Sequence, residues 1–138
     1  MCDGDLQIHG RDEVGLDRRA VEWIAREISE CSFDLVDFSF ATLSESKIFR
    51  CVFRRCKFKE ADLSDVEMSE CRFLDCQFDR SHLGSADILG CRFEDCGFQG
   101  ANMLSCDLSG SDFLRCRRDD STELHLTDIS KATRFDVR

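Results

Sequence analysis

The side chains that could carry chemistry are ten cysteines, three histidines and 28 acidic residues. Cysteines can form disulfides, bind zinc or act as nucleophiles, and a histidine beside a carboxylate can act as a general base. Nine of the ten cysteines are spaced by five residues or a multiple of five, and only Cys2 departs from this spacing. The elements that impose this spacing therefore decide what the cysteines can do.

Every fifth residue from Phe33 to Phe113 is Phe, Leu, Ile or Met, in all seventeen positions, and two residues before each lies a smaller side chain. A period of five fits neither a helix nor an ordinary strand. It is typical of a solenoid, in which short units bury their apolar residues by stacking on one another. In blocks of twenty the large positions run Phe, Phe, Leu, then Ile, Met or Leu, which predicts four units per turn.

Three five-residue units, Ala61–Asp65, Ala86–Gly90 and Ala101–Ser105, resemble the A(D/N)LXX unit of the pentapeptide-repeat family. Units such as Cys71-Arg72-Phe73 are similar to that family's Cys-x-Phe variant. The resemblance covers about 85 residues, here 31–115. It implies an all-β solenoid, a right-handed, quadrilateral parallel β-helix, but no activity, because a fold does not specify a function.

Residues 1–30 are predicted to be an N-terminal extension that ends in a capping α-helix over residues 17–29, with Asp17 as its N-cap. The apolar stripe of this helix would be Leu16, Ala20, Val21, Ile24 and Ile28, with Trp23 beside it. An open solenoid end must be covered, so the simplest role for this helix is a cap. A partner-binding element is the alternative.

Residues 116–138 are predicted to be irregular C-terminal repeats or a cap. Charged residues 117–120 interrupt the pattern, and the spacing then returns one residue late, with Leu124 and Ile129 in the large positions. This indicates one inserted residue followed by poorer repeats. A short helix with Asp120 as its cap and Glu123 at the third position is the alternative.

The repeat places the nine cysteines on the small inward position, which predicts buried, reduced thiols without metal. A disulfide between turns and a metal site are the alternatives, but no Cys-x-x-Cys pair is present. His82 should point outward beside Asp62 and Asn102, without a nucleophile. The sequence therefore predicts no catalytic residue, no metal site and no cofactor, and thus a protein that is not an enzyme.

A net charge of −9 argues against a nucleic-acid or anionic-membrane binder and is compatible with a basic protein partner or with a charge that serves solubility. No stretch is apolar enough to span a membrane. Residues 1–5 are acidic where a signal peptide would be basic, so we expect a cytoplasmic protein. Since secreted bacterial effectors also use this repeat, export without such a signal is an alternative.

The twenty-residue register divides the solenoid into four faces, each formed by one five-residue unit per turn. We number them from the face that contains Phe33. Faces three and four carry seven acidic outward residues against two basic ones, whereas faces one and two carry eight of each. Glu67, Asp87 and Asp107 should form one column of like charges. The predicted partner-binding residues are Asp62, Asp65, Glu67, Asp87 and Asp107, with Leu89 and Leu104 as the apolar part.

The leading interpretation is a non-catalytic, rigid protein-interaction module that presents this acidic face to a partner with a basic surface. The alternative follows from the resemblance, because quinolone-resistance members of the family are regarded as DNA mimics that bind DNA gyrase and topoisomerase IV. The chain departs from them in its shorter rod, its many Arg and Lys on the mixed half, and the lack of a clear apolar C-terminal dimerisation helix. The oligomeric state stays open.

Overall fold

The structure is a computed structural model that describes residues 6–138. The chain forms a parallel β-solenoid of about seven turns, as the sequence predicts. The strands are β1 (Gln7–His9), β2 (Asp12–Val14), β3 (Glu27–Ser29), β4 (Ser32–Asp34), β5 (Lys47–Phe49), β6 (Val52–Arg54), β7 (Glu67–Ser69), β8 (Arg72–Leu74), β9 (Asp87–Leu89), β10 (Arg92–Glu94), β11 (Asp112–Cys116) and β12 (Arg134–Val137), with one 3₁₀ helix at Ile129–Lys131. Within the described residues no helix has the length and apolarity needed to span a membrane.

The four faces differ in how regular their pairing is. Face one is a seven-stranded sheet in the order β12-β11-β10-β8-β6-β4-β2, and face four is a five-stranded sheet in the order β1-β3-β5-β7-β9. Faces two and three are ladders of single parallel bridges, such as Asp37 to Lys57 and Asp62 to His82. Along residues 7–116 the register is twenty residues, so equivalent positions stack in columns.

The inward side chains form one continuous core. In the face-one column the rings of Phe53, Phe73 and Phe93 stack 4.7 Å apart and nearly parallel. Each also meets a ring of the face-two column edge-on, as Phe73 meets Phe78 at 5.4 Å. These rings are at most 3% exposed. Offset and edge-to-face contacts add stabilisation beyond the buried area, which explains why like residues stack on like.

At most of the small inward positions the side chain is Cys or Ser, which can also donate a hydrogen bond. Cys76 Sγ donates to the carbonyl oxygen of Phe53 in the preceding turn at 3.3 Å, and Ser111 Oγ donates to that of Ile88 at 2.7 Å. The nine described cysteines are buried, as predicted, and are free thiols. Burial raises the pKa of the Cys76 thiol and raises that of Cys106 to about 11. Cys2, the one cysteine outside the five-residue spacing, lies outside the described residues.

Each corner of the solenoid is a residue in the left-handed region. All multiples of five from 10 to 115 have a positive φ, and five of these residues are glycine. This conformation costs a non-glycine residue about 1–2 kcal/mol. A recurring hydrogen bond opposes the cost, since the corner N–H donates to a carbonyl of the next turn, as Glu60 does to Asp79 at 2.8 Å.

The predicted capping helix over residues 17–29 is wrong, because the solenoid already includes residues 6–30. Ile28 and Trp23 continue the five-residue period backwards from Phe33 and are buried, whereas Leu16 and Ile24 of the expected stripe are 42% and 44% exposed. The helical spacing of these residues was coincidental. Hydrogen bonds between successive turns outweigh the local preference for a helix.

A polar pair fills the Phe columns in the first turn. Glu13 lies in register with Phe33 of the face-one column. Asp17 pairs with Asp37, so the next residue, Arg18, takes the inward position that Phe38 takes one turn later. Arg18 donates two hydrogen bonds to the Glu13 carboxylate, at 3.1 and 2.7 Å, and its guanidinium lies 5.4 Å from the Trp23 ring. The apolar columns therefore end on an ion pair.

The one-residue insertion predicted near residue 118 is confirmed. Gly97 still pairs with Arg117, but Asn102 pairs with Glu123, a spacing of twenty-one. Thr122 and Thr127 take the small inward positions, and each hydroxyl donates to a carbonyl of the preceding turn. Ile129, expected to be inward, is 44% exposed in the 3₁₀ helix, because the chain leaves the repeat there.

Strand β12 closes the C-terminal end and was not predicted. It pairs with β11 through a register shift, and the ring of Phe135 lies 5.2 Å from that of Phe113.

Candidate interaction surface

The outward side chains lie on a wall whose spacing the core fixes. In each unit the central residue points inward and its two neighbours point outward, as the burial of β7 and β8 shows. Vertical neighbours in adjacent turns lie about 4.8 Å apart. Any pattern that repeats every twenty residues therefore becomes a vertical row of side chains.

Glu67, Asp87 and Asp107 form the predicted column on face four. Glu67 pairs in register with Asp87, and Asp87 bridges to Asp107. Lys47 extends the column at one end, 4.0 Å from the Glu67 carboxylate, and both side chains are more than half exposed. Residues 61–70, 81–90 and 101–110 contain six acidic residues and no lysine or arginine. We call the outward residues of these three segments the acidic side.

Two carboxylates of the acidic side also stabilise their own turns. Asp62 Oδ1 accepts hydrogen bonds from the backbone N–H and the hydroxyl of Ser64, at 3.0 and 2.6 Å. Asp107 makes the same two bonds with Ser109, at 3.0 and 2.5 Å. These hydrogen bonds from Ser109 hold the pKa of Asp107 below its usual value. Both residues are therefore partly structural.

The other predicted site residues are more dispersed. Asp65 is the corner residue between faces three and four, with a φ of 56°. Leu89 is 39% exposed and lies on face four, two residues beyond Asp87. Leu104 lies on face three, one turn further along the solenoid, and is half-buried. The structure thus brings Glu67, Asp87 and Asp107 together in one column, whereas the two leucines lie on different faces.

On the opposite half of the solenoid several charged side chains form ion pairs across turns. Arg55 contacts Asp34 at 2.8 Å, Arg115 contacts Asp95 at 3.0 Å, and Arg80 contacts Glu60 at 3.5 Å. Each pair joins neighbouring turns. The Arg115 guanidinium lowers the pKa of Asp95 by hydrogen bonding.

One polar pair was missed by sequence reasoning. His9 Nδ1 lies 2.8 Å from Ser29 Oγ, in a groove of about 350 Å³ that Glu27, Phe49 and Arg50 also line. The twenty-residue spacing between His9 and Ser29 was the available signal, but the period was not traced that far. Among residues 6–138 no carboxylate hydrogen-bonds His9, so the pair lacks the acid that would orient a catalytic triad.

Over the described range, no group of three or more His, Cys, Asp or Glu side chains is placed to hold a metal ion.

Comparison with known proteins adds a family match and several similar folds. The model of the "pentapeptide repeat region" matches residues 46–123. No curated protein matches the sequence. The structure of trypsin-treated QnrB1 R167E, described as a plasmid-mediated fluoroquinolone resistance protein, is similar with a TM-score of 0.59 and 17% identity, over 95% of this chain and 80% of that one. The pentapeptide repeat protein Rfr23 from the cyanobacterium Cyanothece 51142 is similar with a TM-score of 0.51 and 13% identity, over 80% and 89% of the two chains.

Proposed function

Since the chain belongs to the pentapeptide-repeat family, we propose that it is a rigid, non-catalytic protein-interaction module whose acidic side binds a protein with a basic surface. The supporting observation is the column of Glu67, Asp87 and Asp107, on three segments, 61–70, 81–90 and 101–110, that contain no lysine or arginine. Cations lie only beside the two ends of the column within the described residues, with Lys47 next to Glu67 and Lys131 near Asp107. Like charges directly opposite each other on parallel strands are destabilising. The core does not require this column, whereas a basic partner would relieve its repulsion.

Rigidity supports the same use. Stacked rings and backbone hydrogen bonds in every turn hold the acidic side, so the backbone that carries its carboxylates is already positioned before binding. A preformed surface loses little conformational entropy on association, and more of its interaction energy appears as affinity.

Within this proposal Glu67 and Asp87 are the main contact residues, because Asp62 and Asp107 also hold their own turns. Leu89 contributes an apolar contact beside Asp87, while Asp65 and Leu104 lie at the margin. The proposal places the protein in the cytoplasm, since nine buried free thiols are typical of a reducing compartment.

The test is affinity capture with wild-type protein and with Glu67→Lys/Asp87→Lys, followed by titration of the captured partner after its purification. We expect the double variant to bind at least about tenfold more weakly. Wild-type binding should also weaken between about 50 and 300 mM NaCl, because salt screens exposed charges.

The matched control is Asp12→Lys/Asp75→Lys, which makes the same change of charge at exposed positions outside the acidic side. This control should bind like wild type. If the partner binds Glu67→Lys/Asp87→Lys at full strength, the acidic side is only a solvated wall.

A second candidate is a DNA mimic that modulates a type II topoisomerase. It is favoured by the acidic column together with the similarity of fold to QnrB1 over 95% of this chain. We expect wild-type protein to inhibit DNA gyrase in a supercoiling assay, or to protect the enzyme from a fluoroquinolone, and Glu67→Lys/Asp87→Lys to lose this effect. No effect at micromolar protein would exclude the mimic and leave the general module.

A further inference from the structure

Face two carries an open groove of about 420 Å³ on the half of the solenoid away from the acidic side. We propose that this groove, at Phe40, Lys57 and Lys59, is a second docking site, which binds an acidic segment of a partner protein through an apolar anchor and carboxylates. The proposal is independent of the function assigned to the acidic side, and its partner has the opposite charge.

The first observation is an exposed aromatic residue that the fold does not require. Phe40 is 52% exposed and is a corner residue with a φ of 62°, a conformation that is unusual for a bulky side chain. The other corners of its column are Ala20, Glu60, Arg80 and Gly100. Every corner of residues 10–115 has this conformation, so the unusual feature of Phe40 is its bulky apolar side chain. Because that side chain is half exposed and lies outside the core, a role in contact is the better explanation.

A second apolar corner lies at the other edge of face two in the same turn. Leu35 is 50% exposed with a φ of 58°. Elsewhere the left-handed corners are polar, Ala or Gly, except for Leu126 near the C-terminus. Large apolar corner residues thus flank face two in this turn, with Phe40 in the lining of the groove and Leu35 outside it.

The second observation is two ammonium groups without ionic partners. The groove is lined by four cationic side chains and two carboxylates, a sum of +2 on a chain of net charge −9. Arg19 and Arg80 are paired, with Asp17 at 2.7 Å and Glu60 at 3.5 Å. Lys57 and Lys59 have no ion pair within 4.0 Å in the part of the chain that the structure describes.

The sum of +2 already includes the two carboxylates of the groove, Asp37 and Asp79. Asp37 lies in register with Lys57 in the adjacent turn, and its Oδ1 accepts the Ser39 N–H at 2.9 Å. Within the described residues neither carboxylate lies within 4.0 Å of a lysine ammonium group, so both lysines remain available to carboxylates of a ligand.

The shape of the groove suits an extended peptide segment. Its lining comes from four successive turns, at residues 19, 37–40, 57–59 and 77–80, which span about 14 Å at a rise of about 4.8 Å per turn. About four extended residues fit this length. The net negative charge of the whole chain disfavours a long polyanion, whereas a short acidic segment meets mainly the local cations.

The probes for the test are fluorescein-labelled ten-residue peptides with a central Phe or Leu flanked by Asp and Glu, and the same peptides with Asn and Gln in place of the acids. Binding is measured by fluorescence anisotropy. We expect the acidic peptides to bind wild-type protein at least about tenfold more tightly than the amide peptides.

Two variants address the two observations. Lys57→Glu/Lys59→Glu should weaken binding of the acidic peptides at least about tenfold, and Phe40→Asn should weaken it about fivefold while keeping the corner conformation that Asn tolerates. The matched controls are Lys47→Glu/Lys131→Glu, with the same change of charge on other faces, and Leu126→Asn, the corner at the opposite end. Both controls should bind within about twofold of wild type. Glu67→Lys/Asp87→Lys should also bind normally, which separates this site from the acidic side.

Three results would overturn the proposal. The first is equal binding of acidic and amide peptides, or equal effects of the variants and their controls. The second is displacement of the peptides by millimolar inorganic phosphate with no dependence on Phe40, which would indicate a simple anion site. The third is self-association in sedimentation that Lys57→Glu/Lys59→Glu abolishes while no peptide binds, since the occupant would then be a second copy of this chain.

Discussion

The first turn of the solenoid, residues 6–30, and the middle turns, residues 31–116, share one backbone geometry but fill it differently. In both, corner residues have a positive φ and donate to the next turn, as Gly15 does to Asp34 and Asp75 does to Glu94. In the middle turns the columns of faces one and two contain Phe, whereas in the first turn they contain Glu13 and Arg18.

This difference shows that the backbone register does not depend on an apolar residue in every position. An inward polar pair is tolerated where the column ends, because the guanidinium satisfies the carboxylate and remains partly hydrated, with Arg18 27% exposed. In the middle of the column the same pair would have no access to water.

The strongest test of this comparison uses one column. Phe78→Ala removes a ring stacked between Phe58 at 4.9 Å and Phe98 at 5.0 Å, and should cost about 3–5 kcal/mol of unfolding free energy through the cavity it leaves. Chemical denaturation measures this value. A variant as stable as wild type would show that the middle of the column does not carry the stability.

At the end of the same column, Arg18→Ala should have a smaller effect, about 1–3 kcal/mol. The loss arises because the Glu13 carboxylate, 5% exposed, would lose its 2.7 Å ion pair and keep, among residues 6–138, the more distant Arg11 at 3.8 Å as its cationic neighbour. Arg92→Ala is the control, since its 2.6 Å pair with Glu94 lies on the surface and should contribute at most about 1 kcal/mol. Equal losses in both variants would argue against a structural role for the end pair.

Substitutions of corner glycines test the left-handed corner geometry that the first turn and the middle turns share. Gly15 in the first turn and Gly90 in the middle have φ values of 66° and 60°, and an added Cβ would meet nothing within 4 Å at either position. Gly15→Ala and Gly90→Ala should therefore each cost about 1 kcal/mol, from backbone conformation alone.

The control for the corner variants is Gly84→Ala, where φ is not positive and the nearest atom lies at 3.9 Å. This change should be neutral or stabilise by up to about 1 kcal/mol. Thermal unfolding measures both variants. If Gly15→Ala lost much less stability than Gly90→Ala, the first turn would not be held in the left-handed corner geometry.

The smallest perturbation is thiol labelling in the native state, which changes no residue. Cys31 Sγ donates to Ile8 of the first turn at 3.5 Å, and Cys76 Sγ donates to Phe53 of a middle turn at 3.3 Å. Because burial keeps both thiols from reagent, each label reports local opening, and end turns open more readily than middle ones. Mass spectrometry after brief labelling should find Cys31 modified before Cys76. If Cys76 were modified before Cys31, the middle turns would open more readily than the first turn.

The sequence by itself determined the solenoid between residues 31 and 116, including the twenty-residue turn, the buried cysteines and the vertical column of Glu67, Asp87 and Asp107. It could do so because each unit repeats the same inward residue types, so the period is visible without knowledge of long-range contacts. The late return of the repeat at Glu123 was also predictable, since Thr122 and Thr127 keep the small donor position.

Only the tertiary structure showed how the first turn and the C-terminal residues fold. In the first turn the inward residues Glu13 and Arg18 hide the period, and a helical spacing appears by coincidence, while the hydrogen bonds that fix the turn come from residues about twenty positions away. Strand β12 likewise depends on pairing with β11 across a register shift. The left-handed corners at Leu35 and Phe40 were equally invisible, because their conformation is imposed by the next turn rather than by their own side chains. For the same reason the groove beside Phe40 emerged only when four turns were stacked.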